Sequence, residues 1–373
     1  MMSADRIVLF LDQVFEGFHL KNRRTLSVLV ASLVTVGKVG VASLGRAIRS
    51  RVSFKHKIKQ VDRFLANDKI HVSDWCASLL QMVVGSRKSI RIAIDWTKIG
   101  PWPVLAASVI IDRRGIPVFW ATCDYRNLKR SQNAFEESFL AVLRTMIPKD
   151  VEVLLLFDRG FRRVALARYL KRLRFHFVVR CCGDTHVQGA DYSGALEDLP
   201  LHRGRPRDLG HVLATKDKPE DVRLVAVFDH GQKEAWYLFS DLDAPPEHLV
   251  HLYGRRFTIE EVFRDEKSTR YGWSLGEYRL KDRPDRLDRL ILVVAAGYFL
   301  VYLIGNAIHA KGLDRHYKAN TVRRRTHSNF QMGWKGHRLL RWLPASWLRL
   351  FHQLDFDLLS ENPARRALTG GQP

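Results

Sequence analysis

The chain has 373 residues, with 61 Lys and Arg against 39 Asp and Glu, a formal net charge of +22. That length carries a sizeable core and two or three domains. So large a basic excess points to a polyanionic partner, with nucleic acid as the default and a basic enzyme lacking such a partner as the alternative. Residues 1–60 and 311–373 together hold +16 of the charge, so basic arms flank a more balanced middle. The four cysteines, Cys76, Cys123, Cys181 and Cys182, show no CxxC or Cys/His spacing. That excludes a zinc module of the usual kind and suits reduced thiols in a cytosolic protein. No signal-peptide pattern is read at the N-terminus.

Residues 1–85 read as helical. Leu26–Val36, the glycines at 37 and 40, and Ala42–Arg49 predict a helix, a tight turn and a second helix. Basic residues follow, including Lys55 and Lys57, and then Arg63 within Val61–Leu65. A helix-turn-helix on DNA and a plain helical hairpin with solvated basic residues both fit this stretch. Ser89–Thr97 alternates apolar residues up to Asp95 and predicts a strand ending near that aspartate. Val104–Ile111 and Ile116–Thr122 predict a hairpin across Asp112-Arg113-Arg114-Gly115. Asn133–Met146 has helical period, and Val151–Phe157 is almost wholly apolar, as a strand buried on both faces should be. That strand ends at Asp158. A helix at Arg162–Leu173 and a strand at Phe175–Cys181 complete a β-β-β-α-β-α-β order. Asp95 and Asp158 then fall on neighbouring central strands.

Residues 183–245 break this pattern. They are rich in Gly, Asp, His, Pro and Arg, with strands at Val222–Phe228 and Trp236–Phe239, and are expected to form an inserted β-rich subdomain. Leu290–Ile304 is apolar but short of the roughly 20 residues of a membrane span, so a buried helix is expected and no membrane. The last region carries Arg323-Arg324-Arg325 and three tryptophans with basic neighbours.

One stretch organises these pieces. Tyr253, Arg256, Glu260 and Lys267 stand at offsets 0, 3, 7 and 14. On one continuous helix they share a stripe of about 60°. A phenol, a guanidinium, a carboxylate and an ammonium in a row suit a metal-bound phosphodiester. The same spacing also suits a solvated ion-pair face, with Arg256 and Glu260 as an i,i+4 pair. Three acids, Asp95, Asp158 and Glu260, converging in one site would repel each other unless divalent cations neutralised them. Taken singly, Asp95 is as easily a strand-end residue and Asp158 a helix cap before Gly160.

The row Y-x2-R-x3-E-x6-K resembles the signature of the DDE transposases of bacterial insertion sequences, the group that includes the transposases of transposons five and ten. The Lys318–Arg325 run and Lys55–Leu65 are also similar to the transposon-ten type. The resemblance implies an α/β, RNase H-like catalytic core, a mixed sheet flanked by helices, at 86–182 plus 246–310. A helical DNA-binding region at 1–85, the inserted β-rich subdomain at 183–245 and a basic C-terminal region at 311–373 complete the expected organisation. It implies Asp95, Asp158 and Glu260 as a catalytic triad holding two Mg²⁺ ions, with Mn²⁺ able to substitute. Tyr253, Arg256 and Lys267 would meet phosphates at the cleaved end. Trp236, in a W-x-L-x-S strand, would stack an extruded base, or else serve as a core aromatic. Lys55, Lys57, Arg63, Arg323, Arg324 and Arg325 are the expected contacts of the basic arms. The implied activity is cut-and-paste transposition: binding of terminal inverted repeats, metal-dependent cleavage with a hairpin intermediate, and joining of the 3′ hydroxyl to target DNA. The implied partners are double-stranded DNA and a second copy of the chain in the DNA complex. The implied setting is the bacterial cytoplasm, at the nucleoid. A silenced DNA-binding protein of the same fold and a nuclease without strand joining are the competing readings.

Overall fold

The computed structural model describes residues 11–339, apart from 13, 216–217, 271, 278–282, 320 and 323–325. Four helices come first: α1 (Leu20–Val36), α2 (Val41–Ala47), α3 (Phe54–Leu65) and α4 (Val72–Val84). α1 stops where expected, because Gly37 takes the left-handed conformation (φ +64°) and its N–H returns to the Leu33 carbonyl at 2.7 Å. β1 (Ser89–Ile99) and β2 (Trp102–Ile111) follow, and the next tight turn, Asp112-Arg113, leads into β3 (Arg114–Thr122). Two of the expected turn residues, Arg114 and Gly115, are therefore in the strand. Asp112 supplies the positive φ, +55°, that the two-residue loop requires. β1 does not end at Asp95. It runs on to Ile99, because Trp96–Ile99 keep pairing with β2 residues 102–105.

α5 (Tyr125–Met146) is capped by Asp124, whose carboxylate accepts the Arg126 N–H at 2.8 Å, and is kinked at Ser131. Then come β4 (Glu152–Phe157), α6 (Val164–Arg172) and β5 (His176–Cys181). β1, β4 and β5 pair in parallel, β2 is antiparallel to β1, and β3 is antiparallel to β2. This mixed sheet, flanked by helices, is consistent with an RNase H-like DDE domain.

Residues 183–245 contribute β6 (His186–Gly189), β7 (Ser193–Ala195), β8 (Arg207–Ala214), β9 (Glu220–Val227) and β10 (Trp236–Ser240). They extend the same sheet: β10 pairs antiparallel with β5, giving ten strands in the order β3-β2-β1-β4-β5-β10-β9-β8-β6-β7. Only two of these five strands were expected from the sequence. After them come α7 (Pro246–Gly254), a 3-10 turn at Arg255–Phe257 and α8 (Thr258–Lys267). The signature stretch is therefore not one uniform helix. Its backbone stays right-handed throughout but tightens to a 3-10 turn at Arg256, which shifts Tyr253 relative to Glu260.

α9 (Pro284–Ala310) lies against β3, α1 and α10 (Asn329–Leu339). It is the one helix among the described residues long and apolar enough to cross a membrane, but its most apolar window is 89% buried inside the fold. α9 and α10 meet backbone to backbone: a Cβ on Gly305 would stand 1.8 Å from the Asn329 carbonyl oxygen, and one on Gly333 1.8 Å from that of Val301. One apolar cluster fills the side of the sheet under the N-terminal helices and α9. A second, smaller one joins Leu154, Leu156, Val178 and Leu238 to Leu249, Leu252 and Tyr253 of α7, placing α7 over β4, β5 and β10. All four cysteines are free thiols.

Candidate active site

Alternation along β1 and β4 puts Asp95 and Asp158 on the sheet face that α7, the 3-10 turn and α8 cover. Ile94 pairs with Phe157 across the two parallel strands, so Asp95 and Asp158, each the next residue, sit side by side. Asp158 ends β4 and caps the turn Arg159–Phe161, its Oδ1 accepting the Gly160 N–H at 2.8 Å. The capping alternative is thus real, and it leaves the carboxylate at the strand end beside Asp95.

Arg256 joins the remote pieces. Its guanidinium donates to Asp95 Oδ2 at 3.1 Å and to Glu260 Oε1 at 2.6 Å. It is only 5% exposed, and it stacks over Phe257 with 4.5 Å to the ring centroid. The Arg256–Glu260 pair is therefore more than a surface pair: the Glu260 side chain is 52% exposed, but the buried guanidinium also reaches an aspartate 161 residues away in sequence. Burial, and next the charge of Asp158, raise the Asp95 pKa to about 6; Arg256 opposes the rise and Glu260 adds to it. The three acids are close enough to feel one another, with one buried arginine between two of them.

Lys267 closes the row. Its ammonium donates to Thr97 Oγ1 at 2.8 Å, two residues beyond Asp95 on β1. Burial lowers its pKa, while Glu266 and Asp95 pull the other way. Tyr253 is 1% exposed, and burial raises the pKa of its hydroxyl. Trp236 is half-buried and packs edge-on against Tyr253, with ring centroids 4.8 Å apart, and against Phe257 at 5.9 Å. It is a sheet aromatic at the border of the site.

Among the described residues, no three His, Cys, Asp or Glu side chains stand close enough together to hold a metal ion by themselves. By chemistry the acids fit a hard divalent cation: they are oxygen donors, and the like charges raising Asp95 are what such a cation relieves. By position, Arg256 holds two of them in this conformation.

The basic arms divide. Lys55 and Arg63 are exposed on α3. Lys57 is not: it is 8% exposed, its ammonium 5.2 Å from the Phe54 ring centroid, so it is a packed residue rather than a presented one. The helical turn that exposes Lys55 and Lys59 carries Lys57 inward. Arg323, Arg324 and Arg325 lie outside the described residues.

Two supports of the site went unread in the sequence. Arg114, expected in a turn, is 9% exposed and pairs with Glu261 and Asp265 on the far side of α8. Tyr298 of α9 donates to the same Asp265 at 3.2 Å. Trp96, next to Asp95, donates its indole N–H to the buried Glu136 of α5 at 3.0 Å. The signal for the first was the i,i+4 spacing of Glu261 and Asp265, off the signature stripe. Glu266, beside Lys267 on α8, is packed into the core: it is 5% exposed, and burial lifts its pKa to about 8.

Residues 127–293 match the family described as transposase DDE domain. The matched span contains Asp158, Trp236, Tyr253, Arg256, Glu260 and Lys267, while Asp95 precedes it. No curated protein matches the chain. With the mixed sheet that carries it, the match over residues 127–293 supports a DDE transposase of the insertion-sequence type.

Proposed function

We propose that this transposase works by cut-and-paste, with Asp95, Asp158 and Glu260 as its catalytic acids. The observation that carries the reading is the pair of bonds from buried Arg256 to Asp95 and Glu260, which ties the signature turn to the central strand beside Asp158. The three carboxylates would hold two Mg²⁺ ions, with Mn²⁺ an acceptable substitute, once Arg256 passes from the acids to a phosphate. Bound there, such ions make an attacking oxygen nucleophilic and stabilise a leaving 3′ oxygen. The chain's own cations do the rest. Arg256 grips two phosphate oxygens through its planar fork, and Lys267, held by Thr97, meets another as a point charge. Tyr253 is buried beneath them and binds and orients rather than attacks. Trp236 offers a half-exposed ring for a base that leaves the stack, the need a hairpin intermediate creates. α3, through Lys55 and Arg63, faces the terminal inverted repeats. The DNA complex is a homodimer, and the setting is the bacterial cytoplasm at the nucleoid.

The test is release of a labelled element end with Mg²⁺. Glu260→Gln keeps the size of the side chain and its bond to Arg256 but removes the charge. It is expected to cut about 100-fold more slowly or worse while binding the same DNA. Cutting at the parent rate would remove Glu260 from the triad.

A further inference from the structure

We propose that Arg91, Arg113 and Arg255, with His251, form a second phosphate-binding site that holds the DNA backbone away from the catalytic acids. This rests on the transposase reading above and adds a contact outside the signature row. Arg91 lies on β1 four residues before Asp95 and on the same face, about 13 Å away at the rise of a strand. That is roughly four base steps along a duplex.

The fold gathers these cations from three places in the sequence. The β1–β4 register sets Arg91 opposite Leu154, which packs in the cluster that contains Leu249 and Leu252 of α7. Arg91 therefore emerges beside α7. Arg255 follows that helix directly, and its guanidinium stands 3.1 Å from His251 Nε2, one turn back. Arg113 forms the tip of the β2–β3 turn. The next residue but one, Gly115, is pressed so closely on α8 that a Cβ there would come within 3.2 Å of the Thr258 carbonyl oxygen. The tip therefore reaches the same corner. Arg113 and His251 are exposed; Arg91 and Arg255 are half-buried.

What singles out this corner is the missing counter-charge. Arg91, Arg113 and Arg255 form no ion pair among the described residues, whereas the half-buried Arg163, Arg180 and Arg223 do. Glu247, one turn before His251, pairs with none of them either. Burial first, then the neighbouring Arg113 and Arg91, lower the pKa of Arg255; burial, then Arg255, and more weakly His248, Arg91 and Arg113, lower that of His251. Like charges crowded this way cost stability, and an anion placed among them recovers it. Planar guanidiniums converging from a strand, a turn and a helix end fit one phosphate group.

The experiment uses the full chain without metal and a duplex oligonucleotide of arbitrary sequence, so that it reads binding alone. Arg113→Ala/Arg255→Ala is expected to bind about tenfold more weakly at low salt. The slope of log K against log salt should become shallower by about 0.9 for each phosphate given up. The same variant should melt close to the parent, because the repulsion it relieves offsets the one exposed bond it removes, from Arg255 to His251. Should it fail to fold, Arg113→Glu, on an exposed turn, asks the same question. An unchanged salt slope overturns the proposal, as does a changed self-association with DNA binding intact, which would give the corner to a second copy of the chain. Loss of the slope with Glu260→Gln still cutting normally would keep this site and remove the triad, so the two readings fail separately.

Discussion

Replacing Arg114 by Leu removes the cation that holds α8 from behind. Asp265, with its side chain 3% exposed, would keep only the Tyr298 hydroxyl as partner, 3.2 Å away. Breaking a buried ion pair from one side costs about 3–5 kcal/mol, because the surviving charge stays desolvated. The loss of Glu261 adds little, since its side chain is 40% exposed and water replaces the arginine. The cost has a pH signature. Burial already raises the Asp265 pKa with Arg114 opposing the rise, so deleting Arg114 lifts it further. A carboxyl whose folded pKa lies above its unfolded value contributes stability below the unfolded value and loses it as pH rises through the folded one. The variant should therefore lose more stability at pH 8 than at pH 5, by about 1.4 kcal/mol per unit of added shift. Urea unfolding at the two pH values reads this directly. Arg114→Leu/Asp265→Leu removes both charges and should recover most of the loss. A cost under about 1 kcal/mol at pH 8, or a double variant no better than the single, would refute the anchoring argument. If the argument holds, cutting falls in the single variant as well, since Glu260 and Lys267 ride on the helix that Arg114 holds.

Glu266→Met should stabilise the protein: the carboxyl is 5% exposed and its Oε1 is buried without a partner, an arrangement that costs about 1–3 kcal/mol. Its folded pKa of about 8 stands above the ordinary value, so the parent loses stability as pH climbs through 8, and the Met variant should lose that decline in a melting-versus-pH series. Gly333→Ala should destabilise by at least about 1–3 kcal/mol, because the added methyl meets the Val301 carbonyl oxygen and α10 must leave α9. An unchanged melting temperature would deny the close helix contact.

The amino-acid sequence by itself determined most of the core strands and helices, but not β6, β7 and β8. The alternation before Asp95, the apolar run before Asp158 and the glycine after α1 are local signals, and the strands and the helix stop follow them. The spacing of Arg256, Glu260 and Lys267 likewise put them toward one site. Only tertiary structure decided what covers each face. It placed Lys57 inward and Arg114 behind α8, and joined the strands of 183–245 to the core sheet through β10 and β5. It also tightened the chain at Arg256, so that one guanidinium could serve two acids 161 and 4 residues away. The physical reason is that periodicity records which side of an element avoids water, not which distant element supplies the cover. Pairings such as β5 with β10 or Arg114 with Asp265 are selected by the packing of the whole chain, and no short window of sequence contains both partners.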